Sequence, residues 1–400
     1  MNALERRATA GLAAIFATRM MGLALILPVF AIYAETLAGH SSFLVGLALG
    51  IYGLSQALLQ IPFGIASDRF GRKPVILFGM LLFLIGSVVA ALATTMEMVI
   101  VGRALQGSGA VAAAVIALLS DLTRDEQRTK AMALVGMSIG ASFILALFIG
   151  PMLYDVISVP GIFWATAALA ALGMVVLLFI IPTPDHAVPH APPLSQLVDA
   201  LRHKQLLRLD IGVFVLHAVM TAVFVVVPLL LVKQAGIPGD KHWQVYPPVL
   251  LLSVLIMVPI LVTAERTKQF RLVFPFAITL IAVSQGVIYW NQHSVWGISA
   301  GLLLFFGAFN AVEALLPSLV SRIAPADGKG AAVGVFSSSQ FMGAFAGGAA
   351  GGALFGAYGA GAVFLFSAIL LAIWFLVALG MGEIKLKTAA ADQTDAKSYS

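Results

Sequence analysis

Residues 67–74 read SDRFGRKP, and their setting decides the fold. Only 10% of the 400 residues are charged, yet Asp68, Arg69, Arg72 and Lys73 fall within six positions. One apolar run (43–66) ends just before them and another (75–94) begins just after. The whole chain is 60% hydrophobic, with a mean hydropathy of +1.01. A soluble domain of this length cannot keep so much apolar surface from water. The stretch therefore reads as a charged turn between two helices that cross a lipid bilayer.

Working outward, a crossing needs about 20 mostly apolar residues at a rise of about 1.5 Å each. Twelve stretches qualify: 10–34, 43–66, 75–94, 97–120, 130–153, 160–182, 209–232, 244–264, 271–291, 295–321, 330–356 and 361–381. The polar stretch 183–208 divides them six and six. It opens rich in proline. Leu194, Leu197, Val198, Leu201 and Leu206 then recur at helical spacing around Arg202, His203 and Lys204, which predicts an amphipathic helix on the membrane surface. The expected protein is all-α, with twelve transmembrane helices in two pseudo-symmetric six-helix bundles, 1–182 and 209–382. A cytoplasmic linker, 183–208, joins them, and 383–400 is expected to be a disordered cytoplasmic tail. The N-terminal MNALERRATAGL leads into an apolar run too long for a signal peptide, so it reads as the start of a retained first span.

Charge orients the chain. With the N-terminus inside, nineteen of the 23 Lys and Arg residues fall in cytoplasmic segments. Lys233 and Lys241 fall outside, and Arg19 and Arg103 lie within spans. This bias predicts that both termini are cytoplasmic. The formal charge of +5 does not call for nucleic acid, because the basic residues sit in short loops rather than on a soluble face. There are no cysteines, and the seven histidines are scattered, so no metal or other cofactor is expected. No G-x-S-x-G, H-E-x-x-H or P-loop is present, so an enzyme is not expected.

ALLSDLTRDEQRTKAMALVG (117–136) resembles ALLPSLVSRIAPADGKGAAVG (314–334), each running from a fourth into a fifth span of its half. Such parallel repeats occur in secondary transporters. Ionisable groups deep within the spans are few: Arg19, Arg103, His217 and Glu313, in spans 1, 4, 7 and 10. Polar groups at membrane depth face protein or water, so these four helices are expected to line a common cavity. A carboxylate at mid-span costs roughly 2.5–3.5 kcal/mol. Burial favours the neutral form of Glu313, which suits a proton carrier; a fixed counter-ion to Arg19 is the alternative. His217 can relay protons or simply pack. Asn310 shares a face with Glu313. Arg103 can serve transport or anchor helices, with Gln106 on its own face. Gln56 and Gln60 form a polar stripe that either packs or contacts substrate. Span 11, VGVFSSSQFMGAFAGGAAGGALFG, reads as a close-packing or moving element.

The opening cluster, extended to GIASDRFGRK, reads as a latch. Gly64 admits a neighbouring helix, and Gly71 suits a tight turn with positive φ. Asp68 can accept from the start of span 11 near Gly330, and Arg72 can pair with Asp121. Gly64, Asp68, Arg69, Gly71, Arg72 and Lys73 resemble the loop 2–3 signature of the major facilitator superfamily. Arg103, Gln106, Gly107 and Gly109 are similar to its span-4 motif. Gly140, Gly150 and Pro151 match its span-5 antiporter hinge motif in part, with Leu153 and Tyr154 where paired glycines are usual. GRALQGSGA, LLSDLTR, RTKAMA and EALLPSL look closest to a subgroup of the drug/proton antiporter branch. Some members of that subgroup carry an extra soluble C-terminal domain, which is not expected in this sequence.

The resemblance implies alternating access by two rocking bundles, driven by protons. The expected function is proton-coupled efflux of small amphipathic organic compounds from the inner membrane by a multi-pass protein. A proton-coupled symporter or uniporter of a metabolite is the alternative, and a non-transporting receptor or scaffold a more distant one. The expected partners are a small-molecule substrate, protons and the bilayer, with the protein acting as a monomer.

Overall fold

The computed structural model describes residues 1–183, 194–325 and 328–381. Most of the linker's Pro-rich opening and the expected tail lie outside the described residues. In lipid every backbone N–H and C=O must find a partner within the protein, and an apolar chain meets that demand with helices. Among the described residues, nine helical segments are long and apolar enough to cross a membrane. One of them, Glu126–Ile180, runs 55 residues and holds both span 5 and span 6. Its backbone breaks at Ser158, where φ is 56°, and the chain doubles back. Gln127 accepts from the Met1 amine at 3.1 Å, and Phe179 accepts from Arg7 at 3.0 Å, so both ends of the segment lie beside the start of span 1. Two further helices, Ala3–Ala24 and Lys329–Tyr358, stand where spans 1 and 11 are expected. They are less apolar, the first through its charges and the second through its glycines and serines.

Several boundaries differ from the sequence-based expectation. The first helix ends at Ala24, and the chain turns past Pro28 before a short helix at Phe30–Ala34. Span 4 is two helices, Met96–Ser108 and Ala112–Asp121. The linker helix is Leu194–Arg202, and the span-7 helix, Lys204–Lys233, starts ahead of the expected 209. His203 caps that helix, its Nδ1 accepting from Leu206 N–H at 3.3 Å, so Leu206 belongs to span 7. Leu197 and Ala200 on the linker helix are buried. That helix packs on spans 7 and 11, so its apolar face covers protein rather than only lipid.

Span 1 packs on the 5–6 hairpin, span 4 on spans 2 and 3, span 10 on spans 8 and 9, and span 7 on spans 11 and 12. Across the bundles, span 2 lies along span 11. Their contact starts at the end opposite SDRFGRKP, here called the far end. A Cβ on Gly46 would stand 1.9 Å from the Gly348 carbonyl oxygen, and one on Gly53 would stand 2.4 Å from the Phe341 carbonyl oxygen. Only glycine permits such backbone-to-backbone approach. The seal therefore runs from Ser42 to Gly53, about 17 Å along the helix. Lys233 and Glu35 pair across its rim. Towards the charged end the bundles part: Gly64 meets only Ala113 of its own bundle, and the space around Gly330 and Gly334 is open.

At the charged end, Asn2 and Glu5 form a reciprocal capping box at the start of the first helix. Glu5 also accepts from Arg124 Nε at 2.8 Å. The side-chain hydrogen bond from Arg124, followed by the Asn2 backbone amide, pulls the Glu5 carboxyl down from about 4.5 to about 2. A carboxyl lowered on folding stabilises the fold above its unfolded value and loses that contribution as pH falls towards the folded one. Glu5→Gln should therefore lower the unfolding temperature at pH 7. The difference from wild type should hold down to about pH 4.5 and shrink below it, as paired melting curves across pH would show.

Candidate functional site

Glu313, His217 and Gln340 come together where the bundles begin to part. Glu313 lies on the helix Val295–Ile323, one turn after the buried Asn310. Gln340 Nε2 stands 3.1 Å from Glu313 Oε1 and 2.8 Å from His217 Nε2. His217 Nε2 and Glu313 Oε2 are 3.7 Å apart. The other ring nitrogen, Nδ1, is 3.1 Å from the Val213 carbonyl oxygen. A carbonyl only accepts, so Nδ1 carries a hydrogen and Nε2 of the neutral ring is free to accept. The two amide hydrogens of Gln340 then serve the imidazole and the carboxylate together. The Glu313 side chain is 34% exposed, although its Oε2 is buried and makes no hydrogen bond among the described residues. Phe309 stands edge-on to His217 at 5.8 Å and stacks on Phe143 of span 5 at 6.1 Å, tying the cluster to the other bundle.

The facing wall carries the guanidinium groups. Arg19 Nη2 donates to Gln56 Oε1 at 2.8 Å and to the Tyr52 hydroxyl at 3.2 Å. The Arg103 guanidinium lies over the Tyr52 ring, 5.0 Å from its centre. Arg103 donates to Gln106 Oε1 at 2.8 Å and to the carbonyls of Ala48 and Gly22 at 3.4 and 3.5 Å. Gln106 continues to Ser87 at 2.8 Å. Arg103 thus binds spans 1, 2 and 4 together, and through Gln106 reaches span 3. Gln60 is buried, and its Oε1 has no partner among the described residues. Arg19 and Glu313, possible counter-ions by sequence, take different partners on opposite bundles. Tyr52 approaches Phe341 across the seal at 6.3 Å. Gln340, next to Phe341, was not singled out in the sequence. Span 11 as a whole read there as a close-packing or moving element.

In the charged cluster, Gly71 has φ 92° and joins spans 2 and 3 as a single residue. Arg72 Nε pairs with Asp121 Oδ2 at 3.1 Å, and its Nη1 contacts Asp68 and the Ser67 hydroxyl. Arg69 stands apart from these contacts, over the Phe70 ring. A Cβ on Gly330, near the start of span 11, would have nothing within 4 Å. Arg72 is buried, and so is Asp121. Arg72→Ala removes the cation that Asp121 and Asp68 share, and should cost on the order of 3 kcal/mol. Denaturant unfolding in detergent would read this, with Arg72→Lys falling between. In span 5 the helix runs unbroken through Gly140, Gly150 and Pro151, and the backbone break falls later, at Ser158. Gly150 packs on the Leu25 backbone, whereas Gly140 faces open space.

The family profile of the Major Facilitator Superfamily matches residues 12–270. The chain belongs to the major facilitator superfamily. It is a membrane transporter with that family's fold. It is 44% identical over 383 residues to the inner membrane transport protein YajR of Escherichia coli (strain K12), covering 95% of this chain and 84% of the relative. A bacterial homologue of the human lysosomal transporter Spinster, solved inward-facing and occupied, superposes with a TM-score of 0.75 at 12% identity, over 94% of this chain and 97% of that one. The D-xylose–proton symporter superposes with a TM-score of 0.72 at 16% identity, over 95% and 99%. At these identities the two solved structures speak to fold alone.

Proposed function

We propose that the protein exports small amphipathic organic compounds in exchange for protons, by alternating access across the inner membrane. The charged end and both termini lie in the cytoplasm in this reading, as the distribution of Lys and Arg favours. The seal at the far end, with the gap at the charged end, is then an inward-open state. The relative from the E. coli inner membrane supports the location.

The observation that carries the coupling is the Gln340 bridge. With Glu313 ionised and His217 neutral, one amide group donates to both. A proton on Glu313 weakens the bond, since Oε1 then accepts as part of a neutral carboxyl, and a proton on Nε2 of His217 turns that acceptor into a donor and breaks the arrangement. Gln340 must then rotate or withdraw. It sits on span 11 beside Phe341, the last residue of the seal, so proton arrival and seal loosening act on one element. Arg72, Asp68 and Asp121, already paired within one bundle here, form the cytoplasmic latch surface that the other bundle meets in the opposite state.

The test is a reconstituted vesicle with an imposed pH gradient, following a fluorescent lipophilic dye and internal pH together. An exchanger moves dye and protons in opposite directions. Movement in the same direction identifies a symporter, and pH-independent dye flux a uniporter. Absence of flux for every dye points to a non-transporting protein.

A further inference from the structure

Span 4 breaks near mid-membrane. After Ser108, residues 109–111 turn on two short bonds, Ala110 N–H to the Ser108 carbonyl and Val111 N–H to the Gly109 carbonyl, both 2.8 Å. A second helix of ten residues, Ala112–Asp121, starts there. Val111 gives it no side-chain cap, and its ladder begins with Val115 N–H to the Val111 carbonyl. The amides of Ala112, Ala113 and Ala114 precede that ladder, at the positive end of the helix dipole.

Arg19 is aimed at this break. Its Nη1 lies 3.5 Å from where a Cβ on Gly109 would stand. The residue is 5% exposed, and Nη1 has no hydrogen-bond partner among the described residues. The Gly79 carbonyl oxygen lies 2.2 Å from that same point, yet Nη1 makes no hydrogen bond to it, so the guanidinium keeps an unused donor at the break. The hydrogen-bond partners of Arg19 and Arg103 are all neutral, a phenol, two amides and two backbone carbonyls, and the Phe83 ring lies 5.5 Å from the Arg19 guanidinium carbon. The acids in the sequence of this bundle, such as Glu35, Asp68, Glu97 and Asp155, lie towards helix ends rather than at this depth. A guanidinium at membrane depth without a counter-ion is costly, and so is a buried donor that makes no hydrogen bond. An anion at this point relieves both costs.

We propose that the cargo carries an acidic group, a carboxylate or an oxyanion of similar size on an amphipathic body, and that this group docks between Arg19 and the start of the helix Ala112–Asp121. The inference deepens the transport reading above, but it does not depend on proton coupling. Tyr52 holds Arg19 on one side and packs near Phe341 on the other, so the apolar body of such a molecule meets aromatic surface beneath the seal.

Binding is measurable without any gradient. The full-length protein in nanodiscs is melted with octanoate or benzoate, against octanamide or benzamide at equal ionic strength, and against sodium chloride alone. At ten times its dissociation constant, a carboxylate should raise the unfolding midpoint by roughly 1–2 °C, saturably, and the amides should not. Arg19→Gln should abolish the shift. Because that variant can fail to fold, Gln56→Glu serves as a second: it supplies a carboxylate 2.8 Å from Arg19 Nη2 with little change of shape. It should raise the basal midpoint and abolish the response to added acids. Equal shifts from acids and amides, an unchanged response in Gln56→Glu, or a full response from chloride alone would each overturn the assignment. A protein that binds octanoate but moves no protons loses the exchange mechanism and keeps this site.

Discussion

The Gly46→Val protein should fold and insert but fail to close at the far end, and its transport should fall at least about tenfold. A Cβ on Gly46 meets the Gly348 carbonyl oxygen at 1.9 Å and the Gly352 Cα at 2.9 Å. Both obstacles are backbone, so no rotamer change makes room. Overpacking of this kind costs about 1–3 kcal/mol, and each 1.4 kcal/mol shifts a two-state balance about tenfold. The penalty applies only where spans 2 and 11 touch, so it biases the protein towards the far-end-open state instead of unfolding it. The sequence has no cysteine, so one introduced at Ser42 reports cleanly. In the Gly46→Val background, a membrane-impermeant thiol reagent added from the far side should label it faster. Unchanged labelling together with wild-type flux would show that the seal is not the outer gate.

Glu313→Gln should reduce proton-coupled flux to background while leaving downhill dye exchange measurable. The substitution keeps an oxygen within reach of Gln340 but removes the titratable group, so span 11 is no longer driven by protonation. Gln340→Leu separates the two halves of that argument. It leaves Glu313 and His217 able to exchange protons but cuts their shared link to span 11. Proton movement in this variant should no longer be accompanied by dye movement. Coupled flux equal to wild type in Glu313→Gln removes the carboxylate from the mechanism, and tight coupling in Gln340→Leu removes the bridge.

The crossing helices and the turn at SDRFGRKP were legible because lipid imposes long apolar runs, and charge at their ends is easily seen. The Arg72–Asp121 contact could also be anticipated, since both residues sit at neighbouring helix ends and opposite charges there seek each other. What escaped was whatever depends on geometry within a run. The interruption of span 4 at 109–111 left no composition signal, because Gly107 and Gly109 serve close packing as readily as a break. The 5–6 connection was expected across 154–159, between the apolar runs 130–153 and 160–182, yet one residue, Ser158, suffices to turn the chain. The partners of Arg19 were not foreseeable either. Sequence shows that a cation and an acid lie at similar depths, but not that they line opposite walls.

Spans 2 and 3 are joined through Gly71 alone, spans 5 and 6 through Ser158, and spans 11 and 12 through Gly359. These connections hold no slack. When span 2 swings away from span 11, it must drag span 3 along, and span 11 likewise pulls span 12, so the helices of the seam cannot peel off singly. Lengthening one joint with a few flexible residues would let a lone helix lag behind its neighbour, and leakage of small ions between strokes is the consequence to look for.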